Sequence, residues 1–227
     1  MRQTRSTRFL IRENAWEHLD NVERKRVLLD TDANNEIDDQ HAIAYLLLNG
    51  GCFEVEGITV NRTNNGGDIE EQAREADRII QLCDLAGKIS PIHGASGAFE
   101  QIFPYLPESD FDGKAAVDHI IERSRLVSSR KLILVPIGKL TNIALALARA
   151  PDIVDRVEVL WLGSNYPAPG EYNLDNDVSA LNYVLDTEVP FGMAVVRYFD
   201  ETGTSAVRVT LSDIEKNVVG RGPVSMV

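Results

Sequence analysis

Two cysteines, Cys52 and Cys83, are all the thiol chemistry in this 227-residue chain, and they form no C-x-x-C pair. That argues against a disulfide framework and against a thiolate zinc site, and a reducing cytoplasm is the expected location. Basic residues are also few: 23 lysines and arginines against 35 acids leave a formal charge of -12. Such a surface repels phosphate backbones, so no nucleic-acid partner is expected. No apolar run reaches membrane-spanning length, and no leader-type apolar core follows the N-terminal arginines, so no membrane partner is expected either. Histidine is scarce as well, four in all with none after His119. Internal repeats and low-complexity segments are lacking.

What is present is 44% apolar residues, enough to fill the core of one sizeable α/β domain. Residues 1–25 are arginine-rich and are expected to form an extension ahead of a domain covering 26–227. Within that domain, short β-branched runs alternate with segments of helical period. Strands are predicted at 26–29, 53–60, 89–93, 131–136, 157–162 and 191–196. Helices are predicted at 38–48, 68–86, 115–124, 141–150 and 176–187. This pattern implies a mostly parallel open sheet with helices on both faces, a Rossmann-like α/β architecture. Leu140 to Asn142 offer a capping hydroxyl or amide ahead of an alanine-rich helix, and Gly87 stands where a helix should stop. Ligands of such sheets bind beyond the carboxyl ends of the strands. Four polar loops fall there, at 30–39, 61–67, 137–139 and 163–173, and they should converge.

The first of these loops reads DTDANNEIDD, Asp30 to Asp39, directly after an apolar strand. Asp30, Asp32, Asp38 and Asp39 would repel one another in a partly dry crevice unless a cation lay among them or a proton were retained. Calcium and magnesium take several oxygen ligands and suit such a loop. A helix N-terminus accounts for Asp38 and Asp39, in its first turn, but not for all four. An EF-hand does not fit, because its central glycine is absent. The D-x-D of Asp30 and Asp32 also resembles the haloacid-dehalogenase phosphotransferases, with Asp30 as nucleophile, although Ala33 and Asn34 match that family poorly.

Taken with three further motifs, the loop resembles the nucleoside hydrolases, the inosine-uridine-preferring ribohydrolases, whose signature is D-x-D-P-G-x-D-D. The other motifs are GITVNRTNN from Gly57, LVPIGKLTNIALAL from Leu134 and GEYNLDNDVSALNYVL from Gly170. The resemblance runs from about Arg26 to Leu211 and marks a divergent member, with the Pro-Gly replaced and the loop two residues longer. It implies that Asp32, Asp39 and the main-chain carbonyl of Ile137 bind calcium, that Asp38 is the general base, and that Asn64, Asn165, Glu171 and Asn173 hold the ribose hydroxyls. Asp30 and His41 would support this set from behind.

The implied activity is hydrolysis of the N-glycosidic bond of a ribonucleoside or related N-riboside, with self-association into a homo-oligomer left open. A ribose-binding protein without catalysis, or a dehalogenase-like phosphatase, are the alternatives. Family members also carry a His-Asp pair in a C-terminal segment. No histidine follows His119 here, so that segment is expected to be missing from 26–227.

Overall fold

A computed structural model describes residues 23–217 and 219, so nearly all of the predicted N-terminal extension lies outside the described residues. Six strands form one sheet in the order β3-β2-β1-β4-β5-β6. They are β1 (Lys25–Thr31), β2 (Phe53–Val60), β3 (Ile92–His93), β4 (Leu132–Pro136), β5 (Val157–Leu162) and β6 (Phe191–Ala194). Every neighbouring pair is parallel. The helices between them are α1 (Ile37–Leu48), α2 (Ile69–Leu82), α3 (Phe99–Ile102), α4 (Lys114–Arg125), α5 (Thr141–Arg149), α6 (Tyr172–Asn176) and α7 (Val178–Leu185), with α8 (Leu211–Asn217) after β6.

Strand alternation sorts the core onto two faces. Val27 and Leu29 join Ile58, Val60 and the inner faces of α1 and α2 in one cluster. Leu28, between them in sequence, packs with Leu132, Leu134, Trp161 and residues of α4, α5 and α7 in the other. Trp161 is a core residue, and its indole N–H donates to the Gly138 carbonyl at 3.0 Å.

The chain builds outward from β1 through β2 to β3, then returns to the other side of β1 as β4. The strand order therefore reverses between β1 and β4, and a crevice opens at their carboxyl ends. Into it run the loop after β1, which holds the aspartates, and the loop after β4, which holds Ile137 and Gly138.

Several local expectations are corrected. β1 continues through Asp30 and Thr31, which pair with Thr59 and Val60, so the aspartate loop begins later than its acids suggest. The helix expected to reach residue 86 ends at Leu82, with Asp84 taking the first left-handed turn at φ 60°, and Gly87, also left-handed at φ 73°, lies beyond it. Its start is a capping box: Asp68 accepts from Glu71 N and Glu71 accepts from Asp68 N, both at 2.9 Å. The helix expected over 176–187 is α7, trimmed to Val178–Leu185, and a short helix that was not expected, α6, precedes it with Asp177 between them. Thr141 and Asn142 do not cap α5, whose N-cap Leu140 makes no side-chain bond. Their side chains serve the buried network described next.

Candidate active site

The period-two alternation of β2 continues past its last residue and turns Thr59, Asn61 and Thr63 toward the aspartates of β1. Thr59 Oγ1 donates to Asp30 Oδ1 at 2.6 Å, and Asn61 Nδ2 to Asp30 Oδ2 at 2.9 Å. Thr63 Oγ1 donates to Asp32 Oδ2 at 2.6 Å. Asn142 completes the shell of Asp30, donating to its Oδ1 at 2.7 Å while its own Oδ1 accepts from Ala95 N at 2.8 Å. Asp30 is thus fully buried with both oxygens engaged, and burial pushes it up to about 6 against those three donors. A carboxylate so enclosed has no free oxygen for attack, which removes the basis for a dehalogenase-like nucleophile. Asp30 is a clamp on β2 and α5.

Asp32 and Asp39 are buried too. Burial raises both above the ordinary carboxylate range, against the hydroxyls of Thr63 and Thr31 that hydrogen-bond them; repulsion by Asp38 and Glu36 adds to it at Asp32, and repulsion by Asp32 and Asp38 adds to it at Asp39. Asp32 Oδ1 is buried with no hydrogen-bond partner among the described residues, as is Asn61 Oδ1. Two orphaned acceptors among crowded carboxylates form a donor set that lacks a positive charge. No three His, Cys, Asp or Glu side chains among the described residues stand together as a metal cluster. The set that fits a hard cation is instead mixed: the carboxylates of Asp32 and Asp39 with the carbonyl of Ile137. That carbonyl accepts from Asn173 Nδ2 at 2.8 Å and keeps a second lone pair.

Beside these acids lies a crevice of about 380 Å³ whose lining includes Asp38, Asp39, Glu171, Tyr172, Asn173 and Tyr198. Asp38 is exposed at its rim, on the first turn of α1. Asn173 is buried, its amide nitrogen held by the Ile137 and Leu162 carbonyls, which orients its Oδ1. Glu171 caps α6, accepting from Asn173 N, Leu174 N and Ser164 N at 2.8–3.1 Å. The structure therefore brings together Asp32, Asp38, Asp39, Ile137, Glu171 and Asn173.

Asp32 and Ile137 are not in that lining but adjoin it, Asp32 by its repulsion of Asp39 and Ile137 by its hydrogen bond from Asn173, whereas three other expected residues, also outside it, have other surroundings. Asn64 faces a neighbouring pocket, with its backbone N–H on Asn176 Oδ1 at 2.8 Å. Asn165 accepts from Tyr198 N at 3.1 Å and so anchors the chain after β6. His41 is exposed on α1. Thr31, Asn61, Thr63 and Asn142 were missed by the motif reading. The alternating T-x-N-x-T of residues 59–63 was the visible signal for Asn61 and Thr63, and Thr31 and Asn142 had none.

Residues 27–221 match the inosine-uridine preferring nucleoside hydrolase family, and the chain belongs to it. An uncharacterized protein of Schizosaccharomyces pombe is 28% identical over 86% of this chain and 68% of its own length. The inosine-uridine preferring nucleoside hydrolases of Leishmania major and Crithidia fasciculata are 28% and 29% identical over 71% of this chain. For those two enzymes the match spans 57% of their length. In fold, the chain is similar to the inosine-uridine preferring nucleoside hydrolase from Bacillus anthracis, with a TM-score of 0.65, 22% identity, and coverage of 85% of this chain and 70% of the other.

Proposed function

We propose that this crevice hydrolyses the N-glycosidic bond of ribonucleosides or a related N-riboside, with a calcium ion at Asp32, Asp39 and the Ile137 carbonyl. The observation that carries the reading is the orphaned, buried Asp32 Oδ1 amid carboxylates that burial and repulsion have pushed up. Family membership supports the reaction class. A bound divalent cation would lower the pKa of a water and grip the sugar hydroxyls.

The chain's own residues do the rest. Asp38, exposed and with its side chain free of hydrogen bonds to the described residues, accepts the proton of the attacking water. Asn173, fixed through its amide nitrogen, offers Oδ1 to a ribose hydroxyl, and the adjacent Glu171 presents negative charge to a sugar that becomes cationic as the bond breaks. Asn64 and Asn165, outside the crevice lining, are secondary to this grip on the sugar. The same reading places the protein in the cytoplasm, acting on small ribosides and not on nucleic acid. No helix among the described residues is long and apolar enough to cross a membrane.

The test is release of free base and ribose from a panel of purine, pyrimidine and nicotinamide ribosides, with and without chelator. Calcium-dependent release from ribosides, with 2'-deoxyribosides much poorer, is the expected result. Saturable binding without release would make the protein a riboside-binding module, and release unaffected by chelator would remove the metal.

A further inference from the structure

A second pocket, of about 330 Å³, lies on the other side of the loop that carries Thr63 and Asn64. Its charged lining is Arg62 and Lys139, with no carboxylate, in a chain whose formal charge is -12. Arg62 is exposed and forms no side-chain hydrogen bond or ion pair with the described residues, so its guanidinium fork is available. Lys139 is 3% exposed, with Nζ donating to the Gly97 carbonyl at 2.6 Å and the Ser96 carbonyl at 3.3 Å. An ammonium has three protons, so one is left for a ligand. The Ser96 hydroxyl and the Gln101 amide nitrogen also line the pocket without a partner among the described residues.

The nearby acids are engaged elsewhere. Asp112 accepts from the backbone amides of Ser96 and Gly97. Asp177 accepts from Phe99 N, Thr141, Ser179 and Ala180 N. What remains is a set of donors entering from three loops, those after β2, β3 and β4. Donors from three directions suit a tetrahedral anion better than a planar carboxylate, and a free guanidinium supplies the bidentate contact.

We propose that this pocket binds a phosphate group, either as free phosphate or as the phosphoryl group of a phosphorylated ribonucleoside whose sugar sits toward Asn64. The second form rests on the riboside reading above, because Thr63 both lines this pocket and holds Asp32, and so links the two sites. The first form stands without it.

The experiment is calorimetric titration of the full chain, in calcium, with inorganic phosphate, uridine and uridine monophosphate, on wild type, Arg62→Gln, Ser96→Ala and the distant surface control Lys88→Gln. Saturable phosphate binding that weakens about tenfold or more in Arg62→Gln, and less in Ser96→Ala, with the control unchanged, is expected from loss of one charge-assisted contact. Uridine monophosphate binding more tightly than uridine in wild type but not in Arg62→Gln assigns the pocket to a phosphorylated substrate. Phosphate binding with no such gain assigns it to the free anion. Absence of saturable binding by both phosphate and uridine monophosphate, or equal binding by wild type and Arg62→Gln, overturns the proposal. The uridine arm separates the two readings: uridine bound with no phosphate effect sinks only the anion pocket, and phosphate bound without uridine sinks only the riboside site.

Discussion

Thr63 and Asp32, from loops after different strands, are joined by a 2.6 Å hydrogen bond from the threonine hydroxyl to Oδ2. It is the side-chain bond that fixes the carboxylate with the orphaned Oδ1, so the direction in which that oxygen points depends on a residue outside the proposed metal-binding set. Thr63→Val keeps the shape and removes the donor. Outer partners of metal ligands typically contribute about 10-fold or more to affinity. The expected outcome is calcium affinity reduced by that factor in a calorimetric titration, with an unchanged thermal melt in chelator. Wild-type affinity would show that Asp32 is held by other means.

Asp38 stands differently, exposed where Asp39, its neighbour in the same helical turn, is buried. Asp38→Asn removes a base without disturbing a buried charge, so turnover should fall by about 10² or more while calcium affinity stays near wild type. A full rate in the variant would dismiss Asp38 as the base. A parallel loss of calcium affinity would make it a ligand instead.

The order of strands and helices was legible because the two-residue and 3.6-residue periods of a buried parallel sheet are strong, and Val27, Leu28 and Leu29 already announce both faces. The aspartate loop was legible because four acids after an apolar strand are costly without a purpose. The partners of those acids were harder to see. Thr31, Thr63 and Asn142 are ordinary residues whose importance arises only when β1, β2 and α5 meet, and at Asn142 cap chemistry was the competing local explanation. The true start of α7 was hidden because Asp177 reads as one more polar residue, yet its carboxylate caps α7 and accepts from Phe99 N and Thr141.

At the opposite end of the sheet, Glu56 is the extra residue where the β1–β2 register shifts, and its buried side chain meets Arg26 at 2.7 Å and Arg123 at 2.6 Å. Burial raises its pKa, but the hydrogen bonds and charges of both arginines outweigh that and hold it below the ordinary 4.5. A depressed folded-state value means the unfolded chain binds the proton first. The stabilisation is therefore present above the unfolded pKa and is lost as pH falls through the folded one. Urea unfolding of wild type should weaken on acidification below about pH 4.5, and Glu56→Gln should show a shallower decline. Glu56→Ala leaves Arg26 buried without its partner and should cost about 3–5 kcal/mol at neutral pH. If Glu56→Gln titrates like wild type, the acid sensitivity lies with other carboxylates.

Gly138 tests the crevice from its floor. A Cβ there would lie 2.6 Å from Asp32 Oδ1 and 3.0 Å from Asn61 Nδ2, and neither side chain can yield freely, since Thr63 holds the one and Asp30 the other. The glycine is required by close approach and not by a left-handed backbone, for it is not among the positive-φ glycines. Gly138→Ala should therefore act on the site more than on the fold. Overpacking of this kind costs about 1–3 kcal/mol, and the atom displaced is the orphaned oxygen itself. The expected result is a modest loss of stability in urea with calcium affinity reduced by about tenfold or more, the scale of a misplaced ligand. A variant that loses the stability but binds calcium like wild type would show that Asp32 Oδ1 does not face the metal, and the donor set would then have to be drawn without it.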